Sequence, residues 1–178
     1  MAEQGTSRYG GYDPPYTTLE GVVMLTTIER GCKAWDAGKP RVAFDIFKKA
    51  ALSGEEEVFL NLGYCYDVGK GVSKNFKKAM FWYKKAVRSG DGSAAGNIGT
   101  MYRSIANFQR ARHWFKKAIG LRNGGAALDL AKIYLHVRNK SNIGKARKYL
   151  KIAIKSKYIS EYDKEEAVAI LGTLKKAL

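Results

Sequence analysis

The apolar and polar positions of this chain repeat one pattern about four times. In the second copy Gly63 and Tyr66 are followed by Ala79, Tyr83 and Ala86; in the third, Gly99 and Tyr102 are followed by Ala111, Phe115 and Ala118. An earlier copy holds Gly31, Ala43, Phe47 and Ala50, and a later one Ala131, Tyr134, Ala146, Leu150 and Ala153. Phe47, Tyr83 and Phe115 each fall four residues after an alanine, which puts both residues on one stripe of a helix. The closing alanines stand at 50, 86, 118 and 153, so the copies step by 36, 32 and 35 residues. The extra residues of the longer copies fall between their two halves, at Gly69 to Val72 in the second and around Arg138 to Gly144 in the fourth. Insertions confined to one place mark a turn, so each copy is expected to be a helix–turn–helix.

Units this short cannot each bury a core and must stack on their neighbours. The expected fold is therefore all-α: a right-handed α-solenoid with copies at about 22–54, 55–90, 91–123 and 124–158. Gly63 and Gly99 lie inside helical patterns, where glycine costs about 1 kcal/mol relative to alanine. The expected return is close approach by the facing helix, with Ala43, Ala79, Ala111 and Ala146 as the small face opposite. Gly21 to Leu25 reads as the first turn of the first helix. At the other end Asp163 and Glu166 have the spacing of a capping box. Ala167, Ile170, Leu171, Leu174 and Leu178 follow as one apolar stripe, which predicts a capping helix over 161–178. Residues 1–18 carry Tyr9, Tyr12, Pro14, Pro15 and Tyr16 without a helical period, and read as a flexible leader before a repeat domain over 19–178.

Leu62-Gly63-x-x-Tyr66, the Gly69-x-Gly71-Val72 loop, Lys78-Ala79 and Trp82-Tyr83-Lys84-Lys85-Ala86 together resemble the Sel1-like repeat family, a relative of tetratricopeptide repeats. The likeness extends over roughly residues 25–157; copies one and three have the shorter tetratricopeptide spacing, and the fourth departs furthest, with Ala131 at the glycine position. The resemblance implies a non-catalytic interaction module, bacterial in origin. In the tetratricopeptide register it places Ile28, Cys32 and Trp35, then Leu60, Tyr64 and Asp67, then Thr100 and Arg103, then Lys132, Leu135 and His136 along the concave groove. Trp35, Tyr64, Asp67, Arg103, Lys132 and His136 are the partner-binding candidates. Trp35 has a second reading, in which it packs under the leader.

Charge adds the next constraint. The net charge is +16, but residues 68–157 hold 22 Lys and Arg against Asp91 and Asp129 alone. Such a field attracts acidic proteins and polyanions. An acidic protein or peptide is the expected partner, as for an immunity or inhibitor protein that neutralises a toxin domain. The alternative is a nucleic-acid binder that uses the basic central copies for phosphates and Trp35, Tyr64 or the leader tyrosines for stacking.

Signals for chemistry are few. His113 and His136 stand in separate copies, and Cys32 and Cys65 occupy different helical positions in adjacent copies, which points to free thiols in a cytoplasmic protein. No metal, cofactor or catalytic motif is legible. Gly69 to Lys74 resembles a phosphate loop only superficially, because its glycine spacing is wrong and no strand precedes it. Glu55, Glu56 and Glu57 suit a helix start. No apolar run approaches the length of a membrane span.

Overall fold

In a computed structural model, which describes residues 18–19, 22–23, 25–136 and 139–176, the chain is a stack of helix pairs. The first pair is α1 (Thr27–Asp36) and α2 (Pro40–Leu52), and the second is α3 (Phe59–Val68) and α4 (Phe76–Arg88). The third is α5 (Gly92–Ser104) and α6 (Phe108–Gly120), and the fourth is α7 (Gly125–His136) and α8 (Lys140–Lys155). Helix α9 (Glu161–Lys176) packs on α8 and α7 at the end of the stack. Each helix packs most heavily on its partner within a copy and then on the next helix along the chain. Among the described residues no helix is long and apolar enough to cross a membrane. The leader predicted for residues 1–18 lies almost wholly outside the described residues, as does Leu178 of the predicted apolar stripe.

Local chemistry explains where the helices begin. Thr26 accepts from the Glu29 amide while Glu29 accepts from the Thr26 amide, a reciprocal cap that opens α1. Pro40 opens α2 at a position where its missing N–H is not needed. Asn75, Asp91, Asn107, Asn123 and Asn139 each accept from an amide two or three residues ahead and start α4, α5, α6, α7 and α8. In the second copy the turn after α3 carries Gly69 and Gly71 at φ 78°. A β-carbon on Gly71 would stand 2.1 Å from the Pro40 carbonyl oxygen, so this loop sits on the start of α2.

Three expectations are corrected here. Val22–Val23 is not the first turn of α1; it pairs as a two-residue antiparallel strand (β2) with Thr18–Leu19 (β1), and the Thr26 cap delays the helix to Thr27. Asp163 and Glu166 do not form the cap of α9, because Ser160 is placed one turn earlier and accepts from the Asp163 amide. Glu166 reaches Lys132 instead. The extra residues of the fourth copy do not lengthen the turn: Lys140 to Gly144 lie inside α8, which runs to 16 residues against 13 for α4 and α6.

The core lies between the two helices of each pair and continues from one copy to the next. Phe47, Tyr83, Phe115 and Leu150 are fully buried, as are Ala43, Ala79, Ala111 and Ala146 four residues before them. The glycines make room for the rings rather than for a row of alanines. A β-carbon on Gly31 would stand 2.2 Å from Phe47, one on Gly63 2.5 Å from Tyr83, and one on Gly99 2.7 Å from Phe115. The fourth copy carries both changes together, Ala131 in place of the glycine and Leu150 in place of the ring.

Candidate interaction surface

The helices divide the charge sharply. The second helices α2, α4, α6 and α8 carry 18 Lys and Arg against Asp45 alone, a net of +17. The first helices α1, α3, α5 and α7 carry four basic residues and four acidic ones, a net of zero. The small residues that let the first helices pack leave them little charged surface, and the solvent-facing sides of the second helices take the lysines.

The basic candidates on the first helices are already engaged. The Arg103 guanidinium pairs with the Asp129 carboxylate on the next first helix and lies 5.8 Å over the Phe115 ring. Lys132 donates to Glu166 of α9 at 2.8 Å. These two pairs stitch α5 to α7 and α7 to α9, and they neutralise two of the basic candidates. Trp35 is buried, at 7% exposure, with its ring edge-on to Phe47 at 5.0 Å and to Tyr64 at 5.9 Å. The Lys70 ammonium covers it at 4.4 Å. Asp67 accepts from the Tyr83 hydroxyl at 3.3 Å, and burial pushes its carboxyl above the ordinary range. His136 is exposed at the end of α7, 5.1 Å from the Phe108 ring. Of the six candidates, the structure brings only Trp35 and Tyr64 into mutual contact through a described interaction.

Most informative on the second helices are two kinds of cation. One kind lies over rings: Lys78 over Tyr66, Lys85 over Phe59, Phe81 and Trp82, Arg110 over Tyr102, and Lys117 over Trp114. The other kind lies on the outward stripe of each helix. Lys77, Lys84, Arg88, Lys116, Lys148 and Lys151 are exposed, and none has a carboxylate or ring partner among the described residues. The neighbouring lysines of the Lys84-Lys85 and Lys116-Lys117 pairs therefore differ. Lys84 and Lys116 are free, whereas Lys85 and Lys117 are held. The α8 stripe also lines a shallow hollow of about 420 Å³ with Gly144, Arg147, Lys148, Lys151, Ile152 and Lys155.

The sequence already places the Lys-Lys pairs on the outer helices, where they are expected to set a general field, and spacing displays the full outward stripes. Residues at i, i+4, i+7 and i+11 read Arg41-Asp45-Lys48-Leu52 on α2 and Lys77-Phe81-Lys84-Arg88 on α4. On α6 they read Gln109-His113-Lys116-Gly120, and on α8 Gly144-Lys148-Lys151-Lys155. Every one of these positions is exposed.

The chemistry available elsewhere is limited. Both cysteines are free thiols, and burial pushes Cys65 up to about 12, which keeps it protonated and unreactive at neutral pH. Among the described residues no group of three or more His, Cys, Asp or Glu could hold a metal ion.

Residues 60–91, 96–122 and 126–158 match the family model of the Sel1 repeat. Among solved structures, the chain is similar to a Sel1 repeat protein from Oxalobacter formigenes, with 25% identity and a TM-score of 0.67 over 83% of this chain and 61% of that one. It is also similar to c5321, a protective antigen of uropathogenic Escherichia coli strains with an SLR fold, with 19% identity and a TM-score of 0.67 over 85% of this chain and 33% of that one. A third likeness is to MamA, with 22% identity and a TM-score of 0.55 over 82% of this chain and 92% of that one. The chain thus spans less than two thirds of the length of the first two, and the last two likenesses speak for the fold alone. A search of curated proteins found no match. With its repeats matched over just over half of its length, the chain belongs to the Sel1 repeat family.

Proposed function

We propose that this protein is a non-catalytic interaction module whose partner is an acidic protein or peptide, captured on the face formed by the second helices. Sel1 repeat proteins mediate protein–protein interaction. The observation that carries the finer reading is the division of charge, +17 on the second helices and zero on the first. Opposed potentials steer encounter and select partners by sign. An immunity protein that covers an acidic toxin domain is one form such a module takes.

The test is a titration of the protein with an acidic peptide and with single-stranded RNA across a salt series. Under this reading the acidic peptide binds and keeps measurable affinity at about 0.15 M salt through its apolar contacts. Reversal of Lys84, Lys116 and Lys148 to glutamate abolishes that binding, while reversal of Arg103 and Lys132 changes it by less than about threefold. Tight RNA binding with the steep salt dependence of counterion release, and no acidic-peptide binding, refutes it.

A further inference from the structure

Of the four outward stripes, only that of α4 sets an exposed apolar ring between two free cations. On α4, Phe81 stands between Lys77 and Lys84 and is 53% exposed. The same position is Asp45 on α2, His113 on α6 and Lys148 on α8. The Phe81 ring is held from behind: Trp82 meets it edge-on at 5.1 Å and the Lys85 ammonium lies 5.4 Å from its centre. Lys85 also bridges to Phe59, so the ring belongs to a braced aromatic platform rather than a loose side chain. A rigid aromatic anchor of this kind, ringed by groups that select by charge, is what dominates binding energy at protein interfaces.

We propose that the Lys77-Phe81-Lys84 stripe of α4 is a docking site for an acidic segment bearing one large apolar side chain between carboxylates. This rests on the reading of the protein as a module for an acidic partner, and it names where that partner is anchored. The apolar side chain covers the Phe81 ring, and carboxylates to either side meet Lys77 and Lys84. Those two lysines are seven residues apart, about 10 Å along the helix at 1.5 Å per residue. Charge complementarity fixes the register as well as the sign. Glu56 and Glu57 border a hollow with Ala86, Ser89, Gly90 and Asp91 at the C-terminal end of α4. Arg88 extends the basic stripe by one turn, and carboxylates that slide beyond it meet like charge.

The experiment uses the full chain and two synthetic peptides of about 16 residues, both rich in glutamate. One carries a single central tryptophan and the other serine in its place, and a single-stranded RNA of about 20 nucleotides serves as a third probe. Binding is read by fluorescence anisotropy at about 0.15 M salt. The tryptophan peptide binds at least about tenfold tighter than the serine peptide, and Phe81→Ala removes that difference while Phe81→Leu retains most of it. Lys77→Ala with Lys84→Ala weakens the tryptophan peptide about tenfold, whereas Lys148→Ala with Lys151→Ala, which removes the same charge, changes it less than about threefold. Circular dichroism confirms that each variant keeps its helices. If both peptides bind equally, or the two double variants lose equally, the anchor is refuted and the broader acidic-partner reading stands. If neither peptide binds and the RNA does, both fall.

Discussion

The ring of Tyr83 lies directly on Gly63, with its Cδ1 2.5 Å from where a β-carbon would stand. Tyr83 is fully buried. Gly63→Ala is therefore expected to destabilise the fold by roughly 1–3 kcal/mol, although alanine is the better helix former. Ala79→Leu, at a fully buried position one turn before the ring, should cost a similar amount for the same reason. Urea denaturation of the two variants checks both.

The fourth copy has solved the same packing problem with Ala131 and Leu150. Leu150→Phe alone should overpack against Ala131, while Leu150→Phe combined with Ala131→Gly restores the arrangement of the other copies. The pair should show a favourable coupling of about 0.5–3 kcal/mol in a double-mutant cycle. Additive losses would mean that the two positions do not meet.

Asp67 shows the opposite sign of effect. Burial holds its carboxyl above the ordinary range, so its charge at neutral pH is carried at a desolvation cost that the Tyr83 hydroxyl only partly offsets. Folded Asp67 binds its proton at higher pH than the unfolded chain does, so stability rises as pH falls through that window. Asp67→Asn, which still accepts from Tyr83, should lose no stability at pH 7 and should abolish the gain on mild acidification. Tyr83→Phe should lose about 1 kcal/mol. Denaturation at pH 7 and pH 5 separates these outcomes.

Alkali should weaken the protein. Folded Cys65 keeps its proton up to about 12, whereas an ordinary thiol loses it near 9.0. The unfolded chain therefore ionises first, and the stability present below pH 9 is lost as pH rises toward 12. Burial shifts Tyr83 and Tyr66 in the same direction. Cys65→Ser should flatten part of this decline, and a thiol reagent at pH 8 should label native Cys65 only after denaturant is added.

The ion pairs of the first helices are expected to be structural. Arg103→Glu places like charges at Asp129 and should lower stability by about 1 kcal/mol, and adding Asp129→Arg should restore it. Thermal melts of the single and double variants read this directly. The same argument applies to Lys132 with Glu166.

The repeat fold was legible because each copy writes the same glycine, alanine and aromatic positions, and because stacked units must all solve one packing problem. The role of the glycine was half legible. Their place inside helical patterns signals close approach at Gly63 and Gly99, but only the structure shows that it is the ring from the second helix of the same copy, there and at Gly31. The interaction surface was harder to read. Arg103 and Asp129 are 26 residues apart, and Lys132 and Glu166 are 34 apart, so no local rule links them. Their pairing neutralises two basic candidates of the groove. Lys84 and Lys85 look alike in sequence, and only the positions of Phe59, Phe81 and Trp82 separate a free cation from a held one. Val22 and Val23 were misread because a short β-branched pair serves a strand as readily as a helix start, and the deciding signal was the Thr26 cap just beyond.

A body whose excess charge sits on its second helices does not tumble indifferently near a large anion. The field of the anion exerts a torque on it, and the second helices turn inward before any side chain makes contact. The search for a productive collision then runs over one face instead of the whole surface. The neutral first helices then face away from the anion.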